Sequence, residues 1–399
     1  MKDTQSMVAL DAQGCDEGQA YRMLVVDLEP TPYKTDLWNT FSVSREVELF
    51  VIYTERKNWL PDGGHNYQKW PENKHAHITM EGRGLLGALR SATVVVKHIW
   101  RDKPDLVCIA GYVHIATVVA LLCSIVLGRR FVMHADEFNN DRPQGRLRVL
   151  KWLVREGLRG LIFRFGQAVL VCGERGIQSA RQAGCAPSKV LDFPYVINVE
   201  RMKRDEPAEV PLSCTQDIRD GKTIIFFSGR MIPRKGLPIL LEALSGPLME
   251  RPWVLWVEGD GPELGRYQAL AEQLGLQHQA RFLGFCQFDL HSWLIRSSHI
   301  VVVPSHIDTW GIVVDEGLQL GKAVISSDAT GSGYDRIRDG CNGFLFPAGD
   351  AQALARVMSN LIDNKELRER VGAAAATGDK NYGPTDNLAT LLRLIKRVS

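Results

Sequence analysis

The sequence predicts an α/β protein made of two doubly wound domains, each a parallel sheet with helices on both faces. Short runs rich in β-branched residues alternate with helix-length amphipathic segments along most of the chain. The alternation pauses once, near residues 199–222, where a polar stretch with two prolines separates two such series. Such sheets bind ligands beyond the carboxyl ends of their strands, so two facing sheets place the ligand in the cleft between them.

The first series begins after a polar N-terminal stretch, residues 1–20, which we expect to be a flexible tail. We predict strands at 23–26, 47–53, 107–110, 131–133 and 168–171, with helices at 85–100, 113–127 and 146–163. These elements form a first domain over residues 21–200, followed by a linker at 201–222.

The second series begins at residue 223. We predict strands at 223–228, 254–257, 281–283, 300–303, 323–326 and 344–346, and helices at 351–361 and 365–375. A final helix at 385–398 follows a Gly-Pro break. The second domain is therefore expected over 223–376, and the last segment over 377–399.

Composition excludes several classes of protein. The 399 residues are 45% hydrophobic and 24% charged with a net charge of +2, which is typical of a globular protein and too small for a general nucleic-acid binder. The eight cysteines are scattered singly, which predicts neither a zinc ribbon nor a disulfide framework and favours a reducing cytosol. The N-terminus lacks the apolar region of a secretion signal.

One uncharged stretch, residues 106–127, is about as long as a membrane span. Gly111 and Tyr112 interrupt it and His114 dilutes it, which favours a strand followed by a buried helix. A membrane span is the alternative.

The clearest candidate site is the stretch IVVVPSHIDTWGIVVDEGLQLG at residues 300–321. A buried strand ends near Pro304, Asp308 follows in a polar loop, and a helix begins near Gly311 with Glu316 in its second turn. Two carboxylates about 12 Å apart can hold the two hydroxyl-rich ends of a sugar nucleotide, while amides at the helix start face its phosphates. The alternative is that Asp308 caps the helix and Glu316 is a surface charge.

A basic loop follows the first strand of the second domain, in FFSGRMIPRKGLPILLEAL. Gly229 permits a tight turn, and Arg230 and Lys235 follow on the loop; Arg234 is a third cation, expected to face solvent. Two fixed cations can stabilise the charge that develops on a diphosphate leaving group without a metal. The alternative is an ordinary basic turn before a helix.

Three glycines, Gly259, Gly261 and Gly265, lie between the second strand of this domain and a helix. Their spacing is GxGxxxG rather than GxGxxG, and they follow the wrong strand for a dinucleotide fingerprint. They are weak evidence for a nicotinamide cofactor.

These segments together resemble the C-terminal half of the retaining GT-B glycosyltransferases of family four (glycosyl transferases group 1). The resemblance extends in register from about residue 227 to 375, through GRMIPRKG, EGDGPEL, RFLGF, VVPSHIDTWGIVVDEGLQLGKAVISSD and DGCNGFLFPAGD. It implies the GT-B fold, two Rossmann-like domains facing a central cleft, with the final helix returning to the first domain.

The resemblance also implies site residues. Arg230 and Lys235 would grip the diphosphate, and Glu316 would hold the ribose hydroxyls. Asp308 replaces the first glutamate of the family's E-x7-E pattern and is one methylene shorter. The remaining implied donor-site positions are Gly229, Gly259, the base-receiving backbone of Phe282 and Leu283, and the phosphate- and sugar-binding amides of Trp310, Gly311 and Ile312. The family's Gly-Gly before Pro-Glu appears here as GSGYD at 331–335.

The first domain resembles the family only loosely. His134 matches a histidine that meets the donor sugar from the acceptor side, which would make it catalytic together with Asp308, Arg230 and Lys235. The glycine-rich loop expected after the first strand is replaced by LEPTPYKTDLWNTF, so we expect a rebuilt acceptor side that includes Tyr33.

The implied reaction is retaining hexosyl transfer by front-face displacement, with a nucleoside-diphosphate sugar, UDP- or GDP-linked, as co-substrate. No DxD motif occurs, so no metal and no other cofactor are expected, and no nucleic acid. The acceptor is expected to be a glycan or a lipid-linked glycan, in bacterial surface-polysaccharide synthesis.

The segment from Arg142 to Arg164 carries seven cations and only Glu156 as an acid, with apolar residues interspersed. It predicts peripheral contact with an anionic membrane and hence a cytoplasmic protein at the inner membrane face. The alternative is a solvated basic helix face.

Three other functions use the same features. An epimerase or hydrolase on this fold would form product without an acceptor. A nicotinamide-dependent oxidoreductase would need a fingerprint in the first βα turn, where LEPTPY stands. A non-catalytic binder would hold the sugar nucleotide without turnover.

Overall fold

A computed structural model of the chain describes residues 20–54, 73–80, 84–112, 114–138, 147–378 and 383–398. It confirms two α/β domains, each built on a parallel sheet. All but one residue of the predicted N-terminal tail lies outside the described residues.

The strands of the first domain are β1 Tyr21–Asp27, β2 Val47–Tyr53, β3 Ala76–Thr79, β4 Leu106–Ala110, β5 Phe131–His134, β6 Ala168–Val171 and β7 Val190–Asp192. They pair in parallel in the order β3-β2-β1-β4-β5-β6-β7. Its helices are α1 Pro32–Ser42, α2 Gly84–Arg101, α3 Ile115–Val126, α4 Arg148–Phe165 and α5 Gly173–Gln182. The strands β3 and β7 and the helices α1 and α5 were not predicted.

Two helices follow, α6 Val199–Arg204 and α7 Leu212–Arg219. The stretch predicted as a linker, 201–222, is therefore largely helical. Asn198 explains the first helix, because its side-chain oxygen accepts a hydrogen bond from the Arg201 amide as an N-cap.

The strands of the second domain are β8 Thr223–Ser228, β9 Trp253–Glu258, β10 Ala280–Gly284, β11 Ile300–Val303, β12 Ala323–Ser327 and β13 Phe344–Phe346. They pair in parallel in the order β10-β9-β8-β11-β12-β13. Its helices are α8 Leu237–Leu244, α9 Leu264–Gln273, α10 Phe288–Ser297, α11 Ile312–Gln319, α12 Gly331–Arg336, α13 Ala351–Asp363 and α14 Lys365–Ala376. A last helix, α15, spans Pro384–Val398.

Each sheet has an apolar core on both of its faces, because successive strand residues point to opposite sides. In β1, Met23 and Val25 enter one core while Leu24 and Val26 enter the other. In the second domain, Ile225 and Phe226 divide in the same way between two cores. Burial on both faces explains why these strands are continuous apolar runs in the sequence.

The helix α15 packs on the first domain rather than on the second. Leu391 and Ile395 are buried in one core with Trp38 and Phe41 of α1. Lys396 forms a surface ion pair with Glu46 at 2.5 Å.

No helix among the described residues is long and apolar enough to cross a bilayer. The uncharged stretch at 106–127 instead comprises β4 and the 12-residue helix α3. The alternative of a membrane span there is wrong.

Candidate functional site

A cleft of about 460 Å³ lies between the domains, at the carboxyl ends of both sheets. Residues predicted to form the site supply much of its wall: Tyr33, Gly229, Arg230, Lys235, Gly259, Asp308, Gly311, Ile312 and Glu316. The structure thus brings together predicted residues from four separate parts of the sequence.

One wall of the cleft is formed by the start of helix α11, which follows β11 along the chain. Its N-cap is Gly311, with φ of +82°, and a Cβ there would lie 2.4 Å from the Cγ2 atom of Thr330, so only glycine fits. No side chain caps the helix, while Ile312 and Val313 in its first turn line the cleft. First-turn amides and the helix dipole favour an anion at this position.

Beside this helix start, Lys235 donates a hydrogen bond to Asp308 at 2.5 Å. Arg234 lies 3.8 Å from the same carboxylate; its side chain is half exposed but lines the cleft, where a solvent-facing residue was expected. Asp308 is therefore held by cations in a loop before α11 and does not cap the helix. The helical spacing assumed between the two predicted carboxylates is also wrong, because α11 begins only at Ile312.

Glu316 is buried, at 5% exposure, which overturns the alternative that it is a surface charge. Its carboxylate accepts a hydrogen bond from Nε2 of His291 at 3.0 Å, and Nδ1 of the same ring donates to Glu258 at 2.6 Å. Burial lowers the pKa of His291, but the two carboxylates raise it by more, so that it lies well above its usual value. A protonated imidazole thus bridges two acids inside the cleft.

Sequence reasoning missed Glu258 and His291, although both line the cleft. The signal was available in β9, whose six residues are all buried and end in a glutamate. A buried carboxylate requires a partner, and His291 is that partner.

The glycines after β9 have a structural role. A Cβ on Gly259 would lie 1.9 Å from the carbonyl oxygen of Gly229, and one on Gly261 would lie 2.7 Å from that of Met231. Both positions let the loop after β9 pack against the basic loop after β8. Gly265 has nothing within 4 Å of such a Cβ.

Three predicted donor-site residues do not line the cleft with their side chains. Phe282 and Leu283 of β10 pack into the cores on opposite faces of the sheet. Instead, Phe285 and Phe288 line the cleft just beyond this strand.

The Trp310 side chain is also directed away from the cleft. Its indole nitrogen donates to Asp315 at 2.6 Å, and Arg336 pairs with the same carboxylate at 2.6 Å. Burial raises the pKa of Asp315 to about 6 despite Arg336. The indole is therefore a packing element behind the start of α11.

His134 ends β5 but is not part of the cleft wall. Its ring lies 5.4 Å from Phe193 and 6.1 Å from Tyr195, and its buried Nε2 atom has no hydrogen-bond partner among the described residues. Burial lowers the pKa of His134. The histidine is thus close to the first-domain side of the cleft without reaching it.

Only one group of potential metal ligands occurs among the described residues: His134, Asp136 and Cys172, with ligand atoms within 4.8 Å of one another. Asp136 already accepts a short hydrogen bond from Tyr195. The expectation that no metal is needed stays a prediction.

The first domain contributes helix α1 in place of a glycine-rich loop. Pro32 occupies its first position, where a proline costs no hydrogen bond, and Tyr33 lines the cleft with its ring edge against Tyr195 at 4.6 Å. Lys34 pairs with the buried Asp27 at 2.6 Å. A helix therefore stands where a nicotinamide-dependent oxidoreductase carries its glycine-rich fingerprint, so the oxidoreductase alternative finds no support here.

A second set of contacts joins the domains beside the cleft. The amide of Glu174, in the first turn of α5, donates to Asp335 of α12 at 2.9 Å. Arg175 donates to the carbonyl oxygens of Ala329 and Asp328 at 3.1 and 2.5 Å. The GSGYD segment at 331–335 is therefore part of the domain interface.

Comparison with known proteins finds a family similarity over the second domain. Residues 215–377 match the family described as glycosyl transferases group 1. The chain is 32% identical over 177 residues to the lipopolysaccharide core biosynthesis glycosyltransferase LpsE of Rhizobium meliloti, a match that covers 44% of this chain and 46% of that protein. It is 34% identical over 216 residues to the phosphatidyl-myo-inositol mannosyltransferase of Mycobacterium leprae, covering 53% and 54%. These matches span about half the length of the curated relatives.

Among solved structures, the chain is similar to HepE from Anabaena in complex with UDP and glucose. The TM-score is 0.71 at 17% identity, over 94% of this chain and 100% of that chain. At this identity the likeness shows the fold alone, which is GT-B as the sequence predicted.

Proposed function

We propose that this protein is a glycosyltransferase that moves a sugar from a nucleoside-diphosphate donor to an acceptor bound in the cleft. The observation that carries the proposal is the meeting of three features in one wall: the start of α11, the basic loop after β8, and the buried carboxylate of Glu316. Together they match the phosphates and the ribose of a sugar nucleotide.

The chemistry of each group supports one arrangement of the donor. The diphosphate lies at the amides of Ile312 and Val313, where the helix dipole favours an anion. Arg230 and Lys235 flank it and stabilise the negative charge that develops on the leaving group. Glu316 accepts hydrogen bonds from the ribose hydroxyls, and its second carboxylate oxygen stays on His291.

The proposed reaction retains the anomeric configuration of the donor. The bond between the sugar and the diphosphate breaks, and a bond to the acceptor hydroxyl forms on the same face. The acceptor proton passes to a donor phosphate oxygen, so neither a protein base nor a metal is required. Closure of the cleft excludes water and suppresses hydrolysis of the donor.

We further propose a glycan or lipid-linked glycan as the acceptor, in bacterial surface-polysaccharide synthesis on the cytoplasmic side of the membrane. The printed names of the relatives support this class, since one acts in lipopolysaccharide core biosynthesis and another is a phosphatidyl-myo-inositol mannosyltransferase. UDP and GDP are both candidates for the carrier.

The test is a calorimetric panel of UDP, GDP, ADP and dTDP against the native chain and Glu316→Ala. One nucleotide should bind selectively, and the substitution should weaken it by at least about tenfold, since charged hydrogen bonds contribute about 1.5–3 kcal/mol. Glu242→Ala, an exposed glutamate on α8, is the matched control and should bind normally. If none of the four nucleotides binds, the donor site is refuted.

Turnover separates the remaining alternatives. With the sugar nucleotide selected by the panel, an epimerase or hydrolase would release product without an acceptor, and a non-catalytic binder would release none. Product from a retaining transfer carries the anomeric configuration of the donor in its NMR coupling constants. An inverted product would contradict the proposed displacement.

A further inference from the structure

The outer surface of three neighbouring helices in the first domain is unusually apolar. Of the twenty large apolar side chains that are exposed among the described residues, fifteen lie on α2, α3, α4 or the residue that precedes α4. All three helices cover the same face of the sheet, because their inner residues share one core. We call this outer face the α2–α4 surface.

The beginning of α4 is its most exposed part. All eight residues from 147 to 154 are exposed, although the second half of the helix packs into the core through Ile162. Six of the eight are large and apolar: Leu147, Val149, Leu150, Trp152, Leu153 and Val154. A monomeric protein in water rarely presents such a patch without a partner.

Charge identifies the partner. Across the three helices there are eight arginines and lysines but only one acid, Glu156, and that acid is paired with Arg159 at 2.9 Å. The remaining two exposed residues at the start of α4 are Arg148 and Lys151. Apolar side chains interleaved with cations fit an anionic lipid surface.

A second copy of this chain fits the surface less well. A twofold symmetric interface would place the same exposed cations, such as Arg148 and Lys151, against one another, and like charges across an interface oppose association. The partner that satisfies both the apolar and the cationic side chains is a bilayer containing anionic lipid.

The topology also fixes where this surface lies relative to the cleft. A helix that follows a strand in a parallel sheet begins near the carboxyl end of that strand, so the exposed start of α4 lies at the carboxyl end of the sheet, as the cleft does. The start of α2, with Leu85, Leu86 and Leu89 exposed, follows β3 in the same way. The cleft and the exposed starts of α2 and α4 therefore lie at the same end of the first sheet.

We propose that the α2–α4 surface docks this protein on an anionic membrane, with Leu150 and Leu153 inserted among the lipids and Arg148 and Lys151 at the headgroups. The sequence alone predicted such a contact only along one basic segment, of which Arg142 and Arg146 lie outside the described residues. Docking by itself does not depend on the proposed function. The further statement, that docking presents a lipid-linked acceptor to the cleft, rests on the proposed function.

The test is sedimentation of the full chain with vesicles of phosphatidylglycerol and phosphatidylcholine, and with vesicles of phosphatidylcholine alone. The chain should sediment with the anionic vesicles, and high salt should release it. Arg148→Gln/Lys151→Gln should weaken binding about 25-fold, since each cation near an anionic surface contributes about fivefold. Leu150→Ser/Leu153→Ser should weaken it by at least about tenfold.

Leu212→Ser is the control, because Leu212 is an exposed leucine on α7, outside this surface. It should sediment like the native chain. Equal binding by all variants would overturn the proposal. Absence of vesicle binding, together with a dimer that Leu150→Ser/Leu153→Ser dissociates, would assign the surface to a second copy instead. Nucleotide calorimetry on the same variants keeps the two proposals separate, since no substituted residue lies in the cleft.

Discussion

Replacing His291 by glutamine tests whether one imidazole holds the ribose-facing carboxylate in position. His291 is 8% exposed and bridges Glu258 and Glu316 at 2.6 and 3.0 Å. Glutamine donates only through its amide nitrogen, so one carboxylate would face a carbonyl oxygen. Two carboxylates roughly 7 Å apart repel by about 2 kcal/mol at an effective dielectric constant of about 20.

We therefore expect His291→Gln to lower the free energy of unfolding by about 3–5 kcal/mol, the usual cost of removing one partner from a buried ion pair. Repulsion also turns the Glu316 carboxylate away from the ribose, so the Kd of the bound nucleotide should rise at least tenfold, or about 1.4 kcal/mol. Urea unfolding followed by tryptophan fluorescence measures the first effect, and calorimetry measures the second.

Two variants calibrate this result. Glu258→Gln removes one acid and leaves a neutral His291–Glu316 pair, so the expected loss is smaller, about 1–2 kcal/mol. His98→Gln breaks a histidine–aspartate pair on the surface of α2, where the change should stay within about 0.5 kcal/mol. If His291→Gln unfolds and binds nucleotide like His98→Gln, the bridge does not position Glu316.

The pH dependence of stability gives an independent check. Because the pKa of His291 is raised in the folded protein, its contribution is complete below the unfolded value of about 6.5 and is lost as pH rises through the folded value. Within that interval the loss is about 1.4 kcal/mol per pH unit. The urea midpoint of the native chain should therefore decrease as the pH rises above about 6.5, whereas His291→Gln should lack this decrease. Equal slopes in the two proteins would contradict the assignment.

Three further substitutions test the surroundings of the cleft. Gly236→Ala should destabilise the second domain by more than Gly246→Ala, for which we expect only the backbone strain of about 1–2 kcal/mol. The two glycines have similar φ values of +71° and +76°, but only at Gly236 would a Cβ meet a carbonyl oxygen, at 1.9 Å. Equal urea midpoints for the two variants would contradict this. In calorimetry, Lys235→Met should raise the Kd of a nucleoside diphosphate about tenfold or more and leave the Kd of the nucleoside unchanged. Lys222 pairs with Asp217, and Lys222→Met should change neither Kd. Arg175→Ala removes two hydrogen bonds across the domain interface and should enlarge the radius of gyration in solution scattering, while the exposed Arg181→Ala should not; an unchanged radius would show that other contacts suffice.

The fold was predictable because burial on both faces of a parallel sheet leaves a direct mark on the sequence. Continuous apolar runs such as those of β4 and β11 occur only where both sides are covered. Elements without this mark were missed. The strand β7 has three residues, all partly buried. The helix α1 begins at Pro32, two residues after another proline, Pro30, and prolines are typical of turns.

The candidate site was predictable where one local segment carries the chemistry and not where contacts are tertiary. Asp308 and Glu316 lie in one loop-helix segment and both line the cleft. His291 lies 33 residues from Glu258 and 25 from Glu316, so no local pattern joins the three. The indole of Trp310 shows the converse, since a residue next to the site in sequence packs away from it.

The return of α15 to the first domain has a consequence for the order of events at the ribosome. The sheet of that domain is complete at Asp192, yet the face that receives Leu391 stays uncovered until α15, beginning at Pro384, has emerged. At translation rates of about 5–20 residues per second, the interval is about 10–40 s. Throughout it the nascent first domain exposes the apolar groove between α1 and its sheet, whereas the second domain, made of contiguous chain, is complete at Ala376, before α15 begins. The domain that is synthesised first is therefore the one that finishes folding last, and a chaperone that shields α1 would be needed most during that wait.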